Sequence, residues 1–236
     1  MPMKNLHRLL ATMALLPWMA STHAATLTMN GWLFGSGHTV NVSAPTYQGV
    51  AGGFKGSLSG LSDTRFNSAL VEMYCVDLAE SLDTSPGRTY SVKMDGEPGT
   101  AVFTLMPASA LFSTAVVDRL ARLVSLVEGT PAWVDTAQES TSMQLAIWNT
   151  IYDADVSLTG GTFKDASSHA AHADSLLAAS AGTPITQDLY VLRSVGQPGK
   201  QDQLIWIQRV PEPATWVLVA LALGGAAGAR RWRPQG

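Results

Sequence analysis

Apolar and polar positions along the chain change period twice. Over residues 26–78 they alternate in short runs broken by glycine, the pattern of strands with one buried face. Residues 26–34 and 38–42 read as strands parted by Gly35-Ser-Gly37. Residues 47–60 interleave apolar positions with Gly49, Gly52, Gly53, Gly56 and Gly60, as a twisted or bulged sheet or two hairpins would require. The clearest strand is 70–78, which puts Tyr74 and Val76 on one face and Met73, Cys75 and Asp77 on the other. Residues 79–109 are rich in turn signals, with a single strand predicted at 88–94.

The period then becomes helical. Leu111, Val116, Leu120, Leu123, Val124 and Val127 line one side of a helix predicted over 111–128 and ended by Gly129-Thr-Pro131. A second helix opens at Asp135 or Thr136, with Thr136 and Glu139 spaced as a capping box, and runs to about Tyr152. A third, alanine-rich, is predicted over 165–181 and stopped by Gly182-Thr-Pro184. Strands return at 189–195 and 203–209. Strands, then helices, then strands predict an α+β fold: one β-sandwich or barrel-like domain over residues 25–209 with a helical insertion.

The two ends differ from this body. Lys4, His7 and Arg8 precede the apolar run 9–19 and the small residues around Ala24, so 1–24 reads as a secretory signal peptide. Residues 214–229 are uncharged and mostly apolar, 16 in number, and Arg230, Arg231 and Arg233 follow them. That is the pattern of a single C-terminal transmembrane helix with its basic end in the cytoplasm and the body outside. The body carries 10 Lys/Arg against 17 Asp/Glu, a net of −7. An acidic body without a cationic run excludes a nucleic-acid partner. The chain has one cysteine, so no intrachain disulfide can form.

Pro211-Glu212-Pro213, the apolar stretch 214–229 and the arginines Arg230, Arg231 and Arg233 closely resemble the PEP-CTERM sorting signal. The resemblance covers about 27 residues. It implies a Gram-negative bacterium, recognition by an exosortase-type enzyme, removal of the tail, and delivery to the cell surface or exopolysaccharide matrix.

Two residues sit oddly in their surroundings. Gln144, Ile147, Trp148 and Ile151 fall at i, i+3, i+4 and i+7, so one helix face holds three apolar residues and a glutamine. A buried carboxamide left unpaired costs about 1–3 kcal/mol, so it must be hydrogen-bonded or chemically changed. The other oddity is Cys75, alone in Glu-Met-Tyr-Cys-Val-Asp-Leu. Tyr74-Cys75-Val76-Asp77 and Gln144-Leu-Ala-Ile-Trp148 together resemble the two signature segments of bacterial thioester domains, known from surface adhesins; the closing strand from Gln201 to Trp206 fits as well. The resemblance implies a Cys75–Gln144 internal thioester, with Tyr74, Trp148 and Tyr152 shielding it and Asp77 positioning the thiol or an incoming group. Such a bond is taken once by an amine or hydroxyl on a target, without turnover, so no enzyme is implied and no cofactor is needed. The bland alternative is a packed cysteine and a hydrogen-bonded glutamine in a non-covalent matrix component.

Other chemistry has weaker footing. His38, His169 and His172 could serve a cysteine hydrolase, and His169 and His172 with Asp165 could hold a metal, but no local signature supports either, and no metal is expected. Asp153-Ala-Asp155-Val-Ser157 opens like a calcium loop, yet its twelfth position is Lys164 instead of the required glutamate, which excludes an EF-hand and leaves only a looser site.

Overall fold

The structure is a computed structural model that describes residues 25–153, 155–194, 196 and 199–210. The signal peptide expected at 1–24 and, Val210 apart, the sorting tail expected at 210–236 lie outside the described residues. Among the described residues, no helix is long and apolar enough to cross a membrane.

Strands β1 (Ala25–Trp32), β2 (His38–Ser43), β3 (Thr46–Ala51), β4 (Phe54–Ser59), β5 (Ser68–Cys75), β6 (Thr89–Met94) and β7 (Phe103–Pro107) come first. Helices α1 (Thr114–Gly129), α2 (Ala137–Tyr152) and α3 (Ala170–Ser180) follow, and β8 (Gln187–Ser194) and β9 (Gln203–Gln208) close the domain. Seven strands form a closed barrel in the order β1-β4-β5-β9-β8-β7-β6, while β2 and β3 make a separate hairpin. Neighbouring barrel strands are antiparallel except β6 and β7, which run parallel with Val92 opposite Phe103. All three helices are inserted between β7 and β8. The architecture is therefore a mixed α/β barrel rather than a sandwich.

Alternating burial along β1 and β4 follows the period of two read from the sequence. Leu27, Met29, Met73, Phe103, Leu105, Val191 and Leu204 are fully buried; each side chain of this size contributes roughly 1.5–3 kcal/mol when taken from water. The barrel closes through its narrowest seam, between β5 and β9, where only Tyr74 faces Leu204 and Cys75 faces Gln203.

Helix α2 is the spine of the domain. Its capping box forms as the sequence predicts: Thr136 accepts from the Glu139 amide, and Glu139 accepts from the Thr136 amide. Every residue from Ser140 to Thr150 is buried, not one face alone. The barrel, the β2–β3 hairpin, α1 and α3 all touch this helix. Its polar residues are consumed as joints: Ser140 accepts from the Gly53 amide at 2.8 Å, Thr141 donates to the Ala51 carbonyl at 2.8 Å, and Ser142 donates to the His169 carbonyl at 3.1 Å.

The structure departs from the sequence reading in two places and refines it in a third. Strand β7 arises within the stretch read as turns, because Phe103, Thr104 and Leu105 are all buried and show no alternation. Helix α3 starts at Ala170 and not at Asp165. The Asp165 carboxylate accepts from the amides of Asn41 and Ser167, which holds that segment extended against β2. Residues 47–60 divide into β3 and β4 at Gly52-Gly53. A Cβ on Gly53 would lie 2.7 Å from the Tyr74 ring, so only glycine lets the β3–β4 junction lie this close to β5.

Candidate functional site

Strands β5 and β9 meet at Cys75 and Gln203. Directly opposed residues of an antiparallel pair share a face, so the thiol and the carboxamide are neighbours by register. Gln203 Nε2 lies 3.5 Å from Cys75 Sγ and Gln203 Oε1 lies 3.8 Å from it. The sulfur thus touches both heteroatoms of one carboxamide, and the carbonyl carbon bonded to them is adjacent. Gln203 Nε2 also donates to the Gln201 carbonyl at 3.0 Å, which fixes the plane of the amide. Cys75 is 3% exposed and Gln203 is 0% exposed, so water is kept from both. Burial pushes the Cys75 thiol well above its ordinary value; Asp77 raises it further, and the Gln203 hydrogen bond offsets only part of this.

The residue that the sequence pairs with Cys75 does something else. Gln144, in the middle of α2, accepts from the Cys75 backbone amide at 2.8 Å and donates to the Cys75 carbonyl at 2.7 Å. Both polar ends of its carboxamide are satisfied by main chain, which is the hydrogen-bonded outcome that a buried glutamine requires. The structure therefore brings Gln144 to the backbone of Cys75 and Gln203 to its sulfur.

Around this pair, Tyr74 points its hydroxyl at Ser140 Oγ, 3.2 Å away, and stacks on Trp206. Trp148 is fully buried, and Tyr47 of the hairpin meets it edge-on at 5.5 Å between ring centroids. Tyr47 is half-buried, and its hydroxyl pKa is raised first by that burial and then by the nearby Cys75. Tyr47 joins this cover; Tyr152 stacks on Phe163 and is partly exposed, with its hydroxyl at the Leu78 backbone and near Asp77 beside the seam.

Asp77 holds the chain beside the site. It accepts from the Asp202 amide at 2.6 Å and the Glu80 amide at 3.2 Å, and its carbonyl accepts from Gln201 Nε2 at 3.0 Å. These bonds tie the end of β5 to the entry into β9, so Asp77 positions the seam. Burial raises the Asp77 carboxyl, and it raises Asp202 to about 6. One carboxylate oxygen each from Asp77, Glu80 and Asp202 lies within 4.8 Å of the others.

The histidine candidates do not assemble. His172 Nε2 is 3.0 Å from the Trp133 carbonyl, whereas His169 packs against His38 with ring centroids 5.2 Å apart. The Asp165 carboxylate is occupied by backbone amides. Sequence reasoning missed Gln203 as the sulfur's neighbour, although a signal was present: Gln203, Ile205 and Ile207 share one strand face, with a carboxamide where an apolar residue is the default.

No family model matches the chain, and no curated protein matches it. Among solved structures, the chain is similar to a cysteine-to-alanine mutant of the N-terminal thioester domain of a surface protein from Clostridium perfringens. The two are 13% identical, the alignment covers 61% of this chain and 91% of that one, and the TM-score is 0.36.

Proposed function

We propose that the protein is an exported surface or matrix protein whose barrel carries an internal thioester between Cys75 and Gln203, used for covalent attachment. The observation that supports it is the sulfur of the only cysteine held at 3.5 and 3.8 Å from the two heteroatoms of one buried carboxamide. In forming the bond, Cys75 Sγ adds to Gln203 Cδ, the C–N bond breaks, and the thiol proton leaves with nitrogen as ammonia. The acyl group is activated, and burial shields it from hydrolysis. An amine or hydroxyl on a target then adds to Cδ, the C–S bond breaks, and the sulfur takes the proton. Gln203 ends as an amide or ester to the target and Cys75 as a free thiol. Each molecule reacts once, so this is attachment and not enzymatic turnover.

In this proposal Gln203 replaces Gln144 as the acyl donor. Gln144 clamps the Cys75 backbone, so that the sulfur cannot swing from the carboxamide, while Tyr74, Trp148 and Tyr47 keep solvent out. The secretory signal at 1–24 and the Pro211-Glu212-Pro213 tail with its apolar segment 214–229 support export, membrane anchoring and processing by an exosortase-type sorting enzyme, with the acidic body outside. One observation favours the rival reading of a non-covalent matrix component: burial disfavours the Cys75 thiolate, as it does in an inert packed cysteine. Peptide mapping after methylamine treatment separates the two. Methylamide at Gln203 with unmodified Gln144 supports the proposal; methylamide at Gln144 or at neither contradicts it.

A further inference from the structure

Beyond Tyr152 the chain passes through Asp153, Asp155, Ser157 and Thr159, the acidic run that begins like a calcium loop. Two carboxylates converge there. A Cβ added to Gly161 would overlap Asp153 Oδ2 and lie 2.5 Å from Asp155 Oδ2, so both oxygens border one small space. Gly160 borders it too, its added Cβ lying 3.1 Å from Asp155 Oδ2. Asp153 Oδ2 accepts from the amides of Thr162 and Phe163, and Asp155 Oδ1 accepts from the Ser157 amide at 3.2 Å. Arg119 packs behind the loop and donates to the backbone carbonyls of Asp153 and Asp155 at 3.0 and 2.7 Å.

An independent observation comes from α2. Asn149 is 0% exposed, and its Oδ1 has no hydrogen-bond partner. Its Nδ2 donates to Asp155 Oδ1 at 3.3 Å and to the Ser157 carbonyl at 3.4 Å, so the carboxamide faces the loop. A buried acceptor without a donor is costly, and it belongs to the same carboxamide that contacts the Asp155 carboxylate and the Ser157 carbonyl. Half a turn of the carboxamide brings Oδ1 alongside Asp155 Oδ1 and the Ser157 oxygen. Carboxylate, carboxamide and carbonyl oxygens in an irregular arrangement are the donor set of a hard, geometrically tolerant cation.

We propose that this loop binds a calcium ion through Asp153, Asp155, Asn149 Oδ1 and the Ser157 carbonyl. Magnesium fits less well, because it demands near-octahedral geometry and gives up water reluctantly. Lys164 stands where an EF-hand has its bidentate glutamate, so the affinity belongs to the weak extracellular class, about 10⁻⁴–10⁻³ M. The ion braces more than its own loop. Next along the chain, the Lys164 carbonyl accepts from the Ser43 amide at 2.9 Å and Asp165 Oδ1 accepts from the Asn41 amide at 3.0 Å, and these bonds hold the β2–β3 hairpin that carries Tyr47. The site does not depend on the chemistry at Cys75.

The test uses the full chain in detergent, stripped with a chelator and titrated calorimetrically with calcium chloride. The proposal expects one saturable site with Kd about 10⁻⁴–10⁻³ M, and a melting midpoint that rises with calcium but not with equal magnesium. Asp155→Asn should weaken binding at least ~10-fold, as loss of a charged ligand does. Asn149→Asp, which adds a charged oxygen, should tighten it. Asp188→Asn, at the Arg209 ion pair on β8, should leave it unchanged. Absence of saturable calcium binding to the stripped wild-type chain overturns the proposal whatever the variants do. So does equal binding by wild type, Asp155→Asn and Asn149→Asp.

Discussion

Gln144 and the Cys75 backbone exchange two hydrogen bonds, amide to Oε1 at 2.8 Å and Nε2 to carbonyl at 2.7 Å, as a ladder partner on a neighbouring strand would. A helix side chain thereby completes the sheet at the point where β5 ends. This arrangement gives Gln144 and Gln203 different tasks, and mutation should separate them. Gln144→Ala leaves a buried N–H and a buried carbonyl unpaired, at a cost of roughly 2–6 kcal/mol in total. The expected result is a clear fall in the urea midpoint. Gln203→Ala keeps the Cys75 backbone clamp, so it should still fold, lose the stabilisation that the link supplies, and show a free thiol under denaturing conditions. Equal stability of Gln144→Ala and wild type would remove the clamp from the account.

The covering role of Tyr47 predicts a kinetic effect. Tyr47→Ala removes the half-buried ring packed on Trp148 and admits solvent to the seam. Thiol release by methylamine should accelerate several-fold, followed as thiol appearing over time. An unchanged rate would mean that the hairpin does not gate the bond.

A thioester between Cys75 and Gln203 closes a loop spanning 128 residues. By the chain-entropy argument used for disulfides, such a link stabilises the fold by about 4–5 kcal/mol. Methylamine-cleaved protein should therefore unfold at a markedly lower urea concentration than the intact form. Coincident unfolding curves would argue that no link exists.

Asp202 makes a pH prediction. Its folded pKa, raised by burial from the model-peptide value of 3.8 to about 6, means that the protonated form is favoured in the folded state. Its contribution to stability is full below pH 4 or so and is lost as pH rises through about 6. Asp202→Asn keeps an acceptor for the Ser194 amide and removes the charge. The variant should be more stable than wild type at pH 7, with the difference shrinking at pH 4. A difference that grows on acidification would reverse the assignment.

The sequence carried much of this fold, and its failures share a cause. Helix α2, its Thr136–Glu139 capping box and the strand bearing Cys75 were legible because capping and alternation are local. Closure of the barrel was not, because register between β5 and β9 is a contact between residues far apart in the chain. Gln144 stood out on an apolar helix face and drew the pairing to itself, whereas Gln203 opens a six-residue strand and looks like a strand end. Both are buried glutamines beside Cys75, and only the three-dimensional register separates backbone partner from sulfur partner. Strand β7 was hidden for a related reason: a strand buried on both faces loses the alternation that announces it.

A covalent bond between Cys75 and Gln203 expels ammonia and consumes the thiol, so the mass of the intact protein reports it. Freshly purified protein should be denatured in acid, where thioesters survive, and weighed with and without a thiol-alkylating reagent. Intact protein should weigh one ammonia less than the mature sequence and show no alkylation at Cys75; the deficit should vanish in Cys75→Ala, and both the deficit and the protection should vanish in Gln203→Ala. The full sequence mass, with Cys75 alkylated in the denatured protein, would contradict it.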